Sequence, residues 1–229
     1  MALVYLHKLR HKWMKLRLQP IRVFCLHHVC EHFDADVMYA CDWMALDEFK
    51  RKINTLQDQG YEFISLTEAY EHLQKDYIRR KKYAVLTFDD GYKSLTEVLP
   101  WLEEQKIPAN LFINGKYLDG KSYRETPKEK YLTYDELFAL TSPLLEIGHH
   151  GWEHNAANEM SCEELKKSIQ KNVEILSAHP RYIPFWAYTY GRHDKNADAI
   201  ITKNELVPVL VAGNKNYNWI GSIDRELMQ

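Results

Sequence analysis

Tyr83-Ala84-Val85-Leu86-Thr87-Phe88-Asp89-Asp90-Gly91-Tyr92 opens as an apolar run rich in strand-forming side chains and closes on two adjacent carboxylates and a glycine. A buried strand carries two charges at its end only if something offsets their desolvation. Adjacent carboxylates also repel, so one of them needs a cation beside it or takes up a proton. A divalent metal on one Asp would leave the other free to act as a base. Asp89 and Asp90 therefore point to a metal-assisted hydrolytic site at a strand's C-terminal end. The competing reading is a plain turn, since Asp-Asp-Gly is a common turn tripeptide.

The chain around this stretch alternates. Strands are expected at Ile21–Leu26, Tyr61–Ser65, Tyr83–Phe88, Ala109–Ile113, Leu144–His149, Tyr182–Tyr188 and Val207–Ala212. Helices are expected between them, at Leu46–Gln59, Thr67–Asp76, Ser94–Gln105, Thr133–Leu140 and Cys162–Ala178. Ser161 with Glu164 forms a capping box ahead of the last helix, and Thr67 and Thr133 are read as N-caps. Strand–helix alternation throughout argues for a parallel α/β domain: a seven-stranded barrel, regular or distorted, with an open doubly wound sheet as the alternative. The polar stretch Lys116–Lys130 is the one long loop and is expected to flank the site.

Residues 1–20 stand apart from the domain expected over residues 21–229. Lys8, Arg10, Lys12, Lys15 and Arg17 occur there without an acid, while Leu6, Leu9, Trp13 and Leu16 recur at helical spacing. Residues 1–19 thus read either as a basic amphipathic helix making peripheral contact with an anionic membrane surface, or as a terminal helix packed on its own domain. The 229 residues suffice for one domain with a full core, and a net charge of −2 gives no basic field to draw the chain to nucleic acid. The four cysteines show no Cys-x-x-Cys spacing and no disulfide framework. With no apolar run of transmembrane length and no signal-peptide core, the expected location is the cytoplasm, at or away from the inner membrane surface.

In a parallel barrel the C-terminal ends of the strands share one mouth. Three expected strand ends carry chemistry. The first holds Asp89 and Asp90. The second reads Gly148-His149-His150-Gly151-Trp152-Glu153-His154, and His150 and His154, four apart, can be aimed at one point. Two imidazoles and one carboxylate form a catalytic zinc set that other first-row metals also accept. The third reads Phe185-Trp186-Ala187-Tyr188-Thr189-Tyr190-Gly191, taken as an aromatic wall to which Trp186 and Tyr188 contribute substrate contacts.

Together, Thr87-Phe88-Asp89-Asp90-Gly91, His150-Gly151-Trp152-Glu153-His154 and Tyr188-Thr189-Tyr190-Gly191 resemble the motifs of the NodB-type polysaccharide deacetylase family. Lys106-Ile107-Pro108-Ala109 and Gly60-Tyr61-Glu62-Phe63-Ile64-Ser65-Leu66 extend the likeness over about residues 21–215. The resemblance implies a distorted seven-stranded β/α barrel and metal-dependent removal of N-acetyl groups from amino sugars. By it, Asp90, His150 and His154 hold one divalent metal, zinc first and nickel, cobalt or iron as alternatives. Asp89 is the general base, and the Tyr190 backbone N–H helps to hold the oxyanion.

The chain departs from the family pattern in four places. Gly151 replaces a hydroxyl residue, His149 adds a histidine, and Thr189 stands where proline is usual. The late Leu-x-Leu-His motif is missing, and residues 207–229 contain no histidine. Leu26-His27-His28-Val29 resembles a sequence of family members with circularly rearranged motifs, which makes His27 the expected acid, with His28 facing away. The expected substrate is an N-acetylated amino sugar in a glycan or a lipid-linked precursor. The alternatives are a hydrolase of another carbon–nitrogen bond and a degenerate barrel that binds glycan without turnover.

Overall fold

The computed structural model describes residues 19–34, 42–75, 80–121, 130–217 and 219–228. The amphipathic segment and the centre of the polar loop lie outside these residues. In chain order the elements are β1 (Ile21–Leu26), β2 (His28–Cys30), β3 (Trp43–Ala45), α1 (Leu46–Asp58), β4 (Tyr61–Phe63), α2 (Leu66–Gln74), β5 (Lys82–Phe88), α3 (Leu95–Glu104), β6 (Ala109–Ile113), α4 (Tyr134–Ala139), β7 (Leu145–His149), α5 (Cys162–Leu176), β8 (Tyr182–Ala187), α6 (Lys195–Lys203), β9 (Val207–Leu210), β10 (Ile223–Asp224) and β11 (Glu226–Leu227). The main sheet runs β10-β9-β8-β7-β6-β5-β1-β11, with β4 beside the start of β5, and every pairing in it is parallel.

The sheet closes through its last segment. β10 pairs with β9 and β11 pairs with β1, and Arg225 alone separates these two short strands. Residues 223–227 thus form one broken strand that bridges the barrel's open side. Among the described residues, β4 is an addition outside that ring, and β2 and β3 form a small separate ribbon.

Period-two alternation sorts the side chains into two layers. Val23 of β1, Val85 of β5, Phe112 of β6, Phe185 and Ala187 of β8, Val209 of β9 and Ile223 of β10 fill the barrel interior. Their neighbours Phe24, Leu86, Leu111 and Ile147 face outward under α1 and α3. The helices supply the matching stripes: Leu46, Phe49, Ile53 and Leu56 are the buried face of α1. The expected capping boxes Thr133–Glu136 and Ser161–Glu164 are present.

Ser65, not Thr67, caps α2, its hydroxyl accepting from the Glu68 N–H. The Leu66 and Thr67 N–H groups instead donate to the inward-facing Glu146 carboxylate, at 3.0 and 3.2 Å. The positive end of α2 therefore seals the lower end of the barrel against a buried acid. α6 was not foreseen, although Asp194 caps it by accepting from the Ala197 N–H.

Candidate active site

The inner face of β5 runs Tyr83, Val85, Thr87, so the next inward residue is Asp89. Its N–H is tied to the Leu26 carbonyl at 2.9 Å, which fixes the end of β5 against the end of β1. Asp90 then turns with φ 71°, followed by Gly91 at 78°. The turn favours glycine at 91, and a Cβ there would also lie 2.9 Å from Ile113 Cδ1, so that side chain would have to shift. This tight reversal lets two consecutive carboxylates enter one buried site; both residues are 2% exposed.

His150 lies on the inner side past the end of β7. Its Nδ1 donates to the Ala187 carbonyl at 2.9 Å, which leaves Nε2 as the lone-pair nitrogen. That Nε2 is 3.5 Å from Asp90 Oδ1 and 3.7 Å from Asp89 Oδ2. His154, at φ 25°, brings its Nε2 to 3.0 Å from the same Asp90 oxygen. Asp90, His150 and His154 each offer a ligand atom, all within 4.8 Å of one another and all buried. Burial pushes the His150 pKa down to about 4 against the pull of Asp89 and Asp90, so the ring is neutral at pH 7. One carboxylate and two imidazoles converging in a buried site, one imidazole already oriented through its far nitrogen, fit a divalent metal ion.

Two of the departures from the family pattern offset each other here. Gly151 has φ 85°, a conformation that side chains rarely adopt, and it gives up a hydroxyl. Thr189 supplies one from the other side, its Oγ1 donating to the His150 carbonyl at 3.1 Å. Asn114 Nδ2 donates to the same carbonyl at 2.6 Å, and the Trp152 N–H donates to Ser168 Oγ at 2.9 Å. The loop that carries both histidines is thus held from β6, β8 and α5.

Asp89 is held by a residue that sequence reasoning missed. Arg225, fully buried at the break between β10 and β11, donates Nη1 to Asp89 Oδ1 at 2.6 Å and Nη2 to Oδ2 at 2.8 Å. Its remaining donors reach Thr87 Oγ1 at 3.0 Å and the Leu210 carbonyl at 3.2 Å. Burial alone would raise the Asp89 pKa; the charge of Arg225, helped by His150, overrides it and holds the carboxyl at about 2. No local pattern marks Arg225, since its flanking strands are two residues each.

His27 continues the inner face of β1 after Val23 and Cys25. One of its ring nitrogens, Cys25 Sγ and an Asp89 oxygen lie within 4.8 Å of one another, with the imidazole partly exposed. His28 points the other way, its Nδ1 2.9 Å from Ser94 Oγ and its ring stacked 3.8 Å from Tyr92. Cys25 places Sγ 3.5 Å from Asp89 Oδ2, and burial pushes its thiol pKa well up, so it stays protonated.

The aromatic wall expected from Trp186 and Tyr188 does not form. Alternation gives the inner face to Phe185 and Ala187 and turns Trp186 and Tyr188 outward, 3% and 0% exposed. Trp186 stacks on His149, and the Tyr188 hydroxyl donates to Asp198 at 2.8 Å. His149 is likewise buried on the outward side, its Nε2 3.0 Å from the Tyr182 hydroxyl and its pKa pushed down to about 3 by burial. Tyr190 is the aromatic that reaches the mouth. It sits at φ 56°, 58% exposed, with its ring centre 4.6 Å from that of His154 in an edge-to-face arrangement.

Both the sequence and the fold are similar to known proteins. The polysaccharide deacetylase model matches residues 76–209, more than half of the chain. YxkH of Bacillus subtilis (strain 168) is 22% identical over 150 residues, which is 65% of this chain and 51% of that protein. The poly-beta-1,6-N-acetyl-D-glucosamine N-deacetylase of Escherichia coli (strain K12) is 25% identical over 136 residues, 56% of this chain and 20% of that protein. The chain thus spans about half the length of one curated relative and a fifth of the other. Among solved structures, IcaB from Ammonifex degensii superposes with a TM-score of 0.75 at 19% identity, covering 93% of this chain and 94% of that one. The Streptococcus pyogenes deacetylase PplD, solved with acetate, gives 0.75 at 19% identity over 91% and 92%. Its Asp-Asp pair, its two converging histidines and its nearly closed parallel barrel place this chain in the polysaccharide deacetylase family.

Proposed function

We propose that this chain is a metal-dependent hydrolase that removes the acetyl group from an N-acetylated amino sugar in a glycan. The observation that carries the reading is the division of labour between adjacent carboxylates. Asp90 converges with His150 and His154, while Asp89 is withheld from that set by Arg225 on both oxygens. A barrel that only bound glycan would have no use for an ionised, anchored carboxylate beside a metal set. The printed activity of the E. coli relative supports the substrate class.

Asp90, His150 and His154 would hold the ion, with zinc the first choice for this donor set. When bound, such an ion polarises the acetamide carbonyl and acidifies a water. Asp89 would be the group that accepts a proton from the attacking water. A carboxylate held near 2 is a weak base, so it serves only for a proton already made acidic. The backbone N–H of Tyr190, in a turn where Tyr190 and Gly191 take positive φ, would help to hold the oxyanion. The departing amine needs a proton, and His27, beside Asp89 at the end of β1 and partly exposed, would deliver it. The proposed setting is the cytoplasm, with residues 1–19 reaching an anionic membrane surface; among the described residues no helix is long and apolar enough to cross a membrane.

The test is acetate release from oligomers of N-acetylglucosamine by the metal-reconstituted protein. Activity that is lost on chelation, restored by a first-row divalent ion and absent in Asp89→Asn supports the reading. A protein that binds one equivalent of metal and releases no acetate from any N-acetylated sugar overturns it.

A further inference from the structure

Beside the metal set a cavity of about 530 Å³ opens between the histidine loop and α5. Its lining includes His154 of the metal set, Tyr190, Trp152, and Lys167, Ser168 and Lys171 of α5. The volume is that of a small-molecule site, and the cavity is continuous with the residues proposed to hold the acetamido sugar.

The charges in its wall are not balanced in the way a solvated helix face usually is. Each acid that lines the cavity is already engaged. Glu153 is 2.9 Å from Lys116 Nζ, and Glu159 is 2.6 Å from Arg192 Nη1. Glu164 accepts from the Ser161 N–H at 2.8 Å and from its hydroxyl at 2.6 Å, closing the cap of α5. On the outer face Lys166 pairs with Glu163 at 2.9 Å. Lys167 acts on Glu163 and Glu164 only through space, and neither it nor Lys171 has a carboxylate within 4.0 Å among the described residues. The two lysines are four residues apart on one helix, a spacing at which like charges disfavour the helix. Lys171 also holds its ammonium 5.2 Å from the centre of the Trp152 ring, over an aromatic platform beside the cavity. Two cations line a cavity that also reaches His154 of the metal set, while Glu153 and Glu159 are paired with other cations and Glu164 is held in the cap of α5, an arrangement that favours an anionic group on whatever occupies it.

We propose that this cavity is a subsite for a carboxylate or phosphate carried by the substrate glycan beyond its acetamido sugar, bound by Lys167 and Lys171. The inference rests on the deacetylase reading and narrows its substrate to a charged glycan.

The experiment uses the full chain, reconstituted with zinc, and three disaccharides that share one N-acetylglucosamine unit. The second sugar is uncharged, carries a carboxylate, or carries a phosphate. At low salt, kcat/KM should favour at least one charged disaccharide over the uncharged one by about fivefold to tenfold, the effect of two exposed charge contacts. In Lys167→Gln/Lys171→Gln that ratio should fall to about one, in Lys167→Arg/Lys171→Arg it should persist, and high salt should erode it. A preference for one charged arm alone identifies the anion. Equal use of all three disaccharides by the wild-type chain overturns the proposal, as does a double variant that keeps the preference. If none releases acetate, the deacetylase reading is what fails. Calorimetric titration with the same three then decides the subsite, through tighter binding of a charged one that the Gln double variant loses.

Discussion

Replacing Arg225 by methionine tests how the candidate base is kept ionised. The guanidinium makes four side-chain hydrogen bonds, two of them to Asp89, and is fully buried. Methionine keeps most of the volume and removes the charge, leaving a buried carboxylate without its cation. Breaking a buried pair from one side costs about 3–5 kcal/mol, because the remaining charge is uncompensated. For a chain of this length that lowers Tm by roughly 6–20 °C.

The pH dependence carries more information than the size. In the wild-type chain Asp89 is held at about 2 against an ordinary 3.8, a folded value below the unfolded one. It therefore contributes about 2 kcal/mol that is present above the ordinary value and lost as the pH falls toward 2. In Arg225→Met burial, the largest influence on Asp89, is opposed only by His150 and His27 and raises the folded value, so the stability this group contributes shrinks or turns into a cost as the pH rises. The gap between wild type and variant should widen from acid to neutral pH, and Arg225→Met/Asp89→Asn should narrow it and flatten it. Denaturant titrations of the metal-free proteins across that range measure it. Acetate release by the single variant should fall by about 10²-fold or more, as for a displaced catalytic group. A gap that is the same at every pH, or a double variant less stable than the single one, would show that Arg225 acts by packing and does not set the charge of Asp89.

Four further outcomes are expected. Asp90→Asn should strongly reduce bound metal, read by elemental analysis, because it removes the only anionic member of the ligand set; stoichiometric metal in His150→Ala/His154→Ala would sink that set. Asp89→Asn should keep its metal and lose roughly 10²–10⁴ in kcat, the range for a general base, and unchanged turnover would reassign Asp89 to orienting its neighbours. His27→Ala should retain metal and lose most of its turnover while His28→Ala is much milder, and the reverse ranking would remove His27 as the acid. His149, at about 3 when folded against 6.5 unfolded, binds a proton only on unfolding, so metal-free stability should fall as the pH drops below 6.5, by up to about 1.4 kcal/mol per pH unit from this group. His149→Phe should flatten that slope, and an unchanged slope would assign it elsewhere.

The strands that matter most were legible in the sequence because they are buried on both faces and bounded by turn residues. Ile21–Leu26 and Ala109–Ile113 match the structure residue for residue, and the other expected strands differ by one or two residues at one end. The alternation that puts Val23, Cys25 and His27 on one face of β1 was equally readable. The same rule, applied to Phe185 and Ala187, would have turned Trp186 and Tyr188 outward; counting aromatic side chains without asking which face they take produced the mistaken wall. Arg225 was illegible for a different reason. Two-residue strands carry no periodicity, and the contact with Asp89 spans 136 positions of chain, so only closure of the barrel brings the two together.

That closure links the fold to the chemistry. Asp90, His150 and His154 come from the ends of β5 and β7, near neighbours in the sheet, so the ligand set needs only β5, β6 and β7 in register. The ionised state of Asp89 needs the whole ring. Its cation arrives on the segment that joins β9 to β1, where the Arg225 N–H donates to the Leu210 carbonyl and the Met228 N–H to the Cys25 carbonyl. Arg22 and Glu226 reinforce the same seam with paired contacts of 2.7 and 2.8 Å. A chain that lost residues 223–228 would keep the three ligands at the ends of β5 and β7 yet leave Asp89 buried without its counter-charge, free to take up a proton or to compete for the metal. Holding the two carboxylates to different tasks is thus a property of the closed barrel, beyond what the Asp-Asp-Gly turn supplies alone.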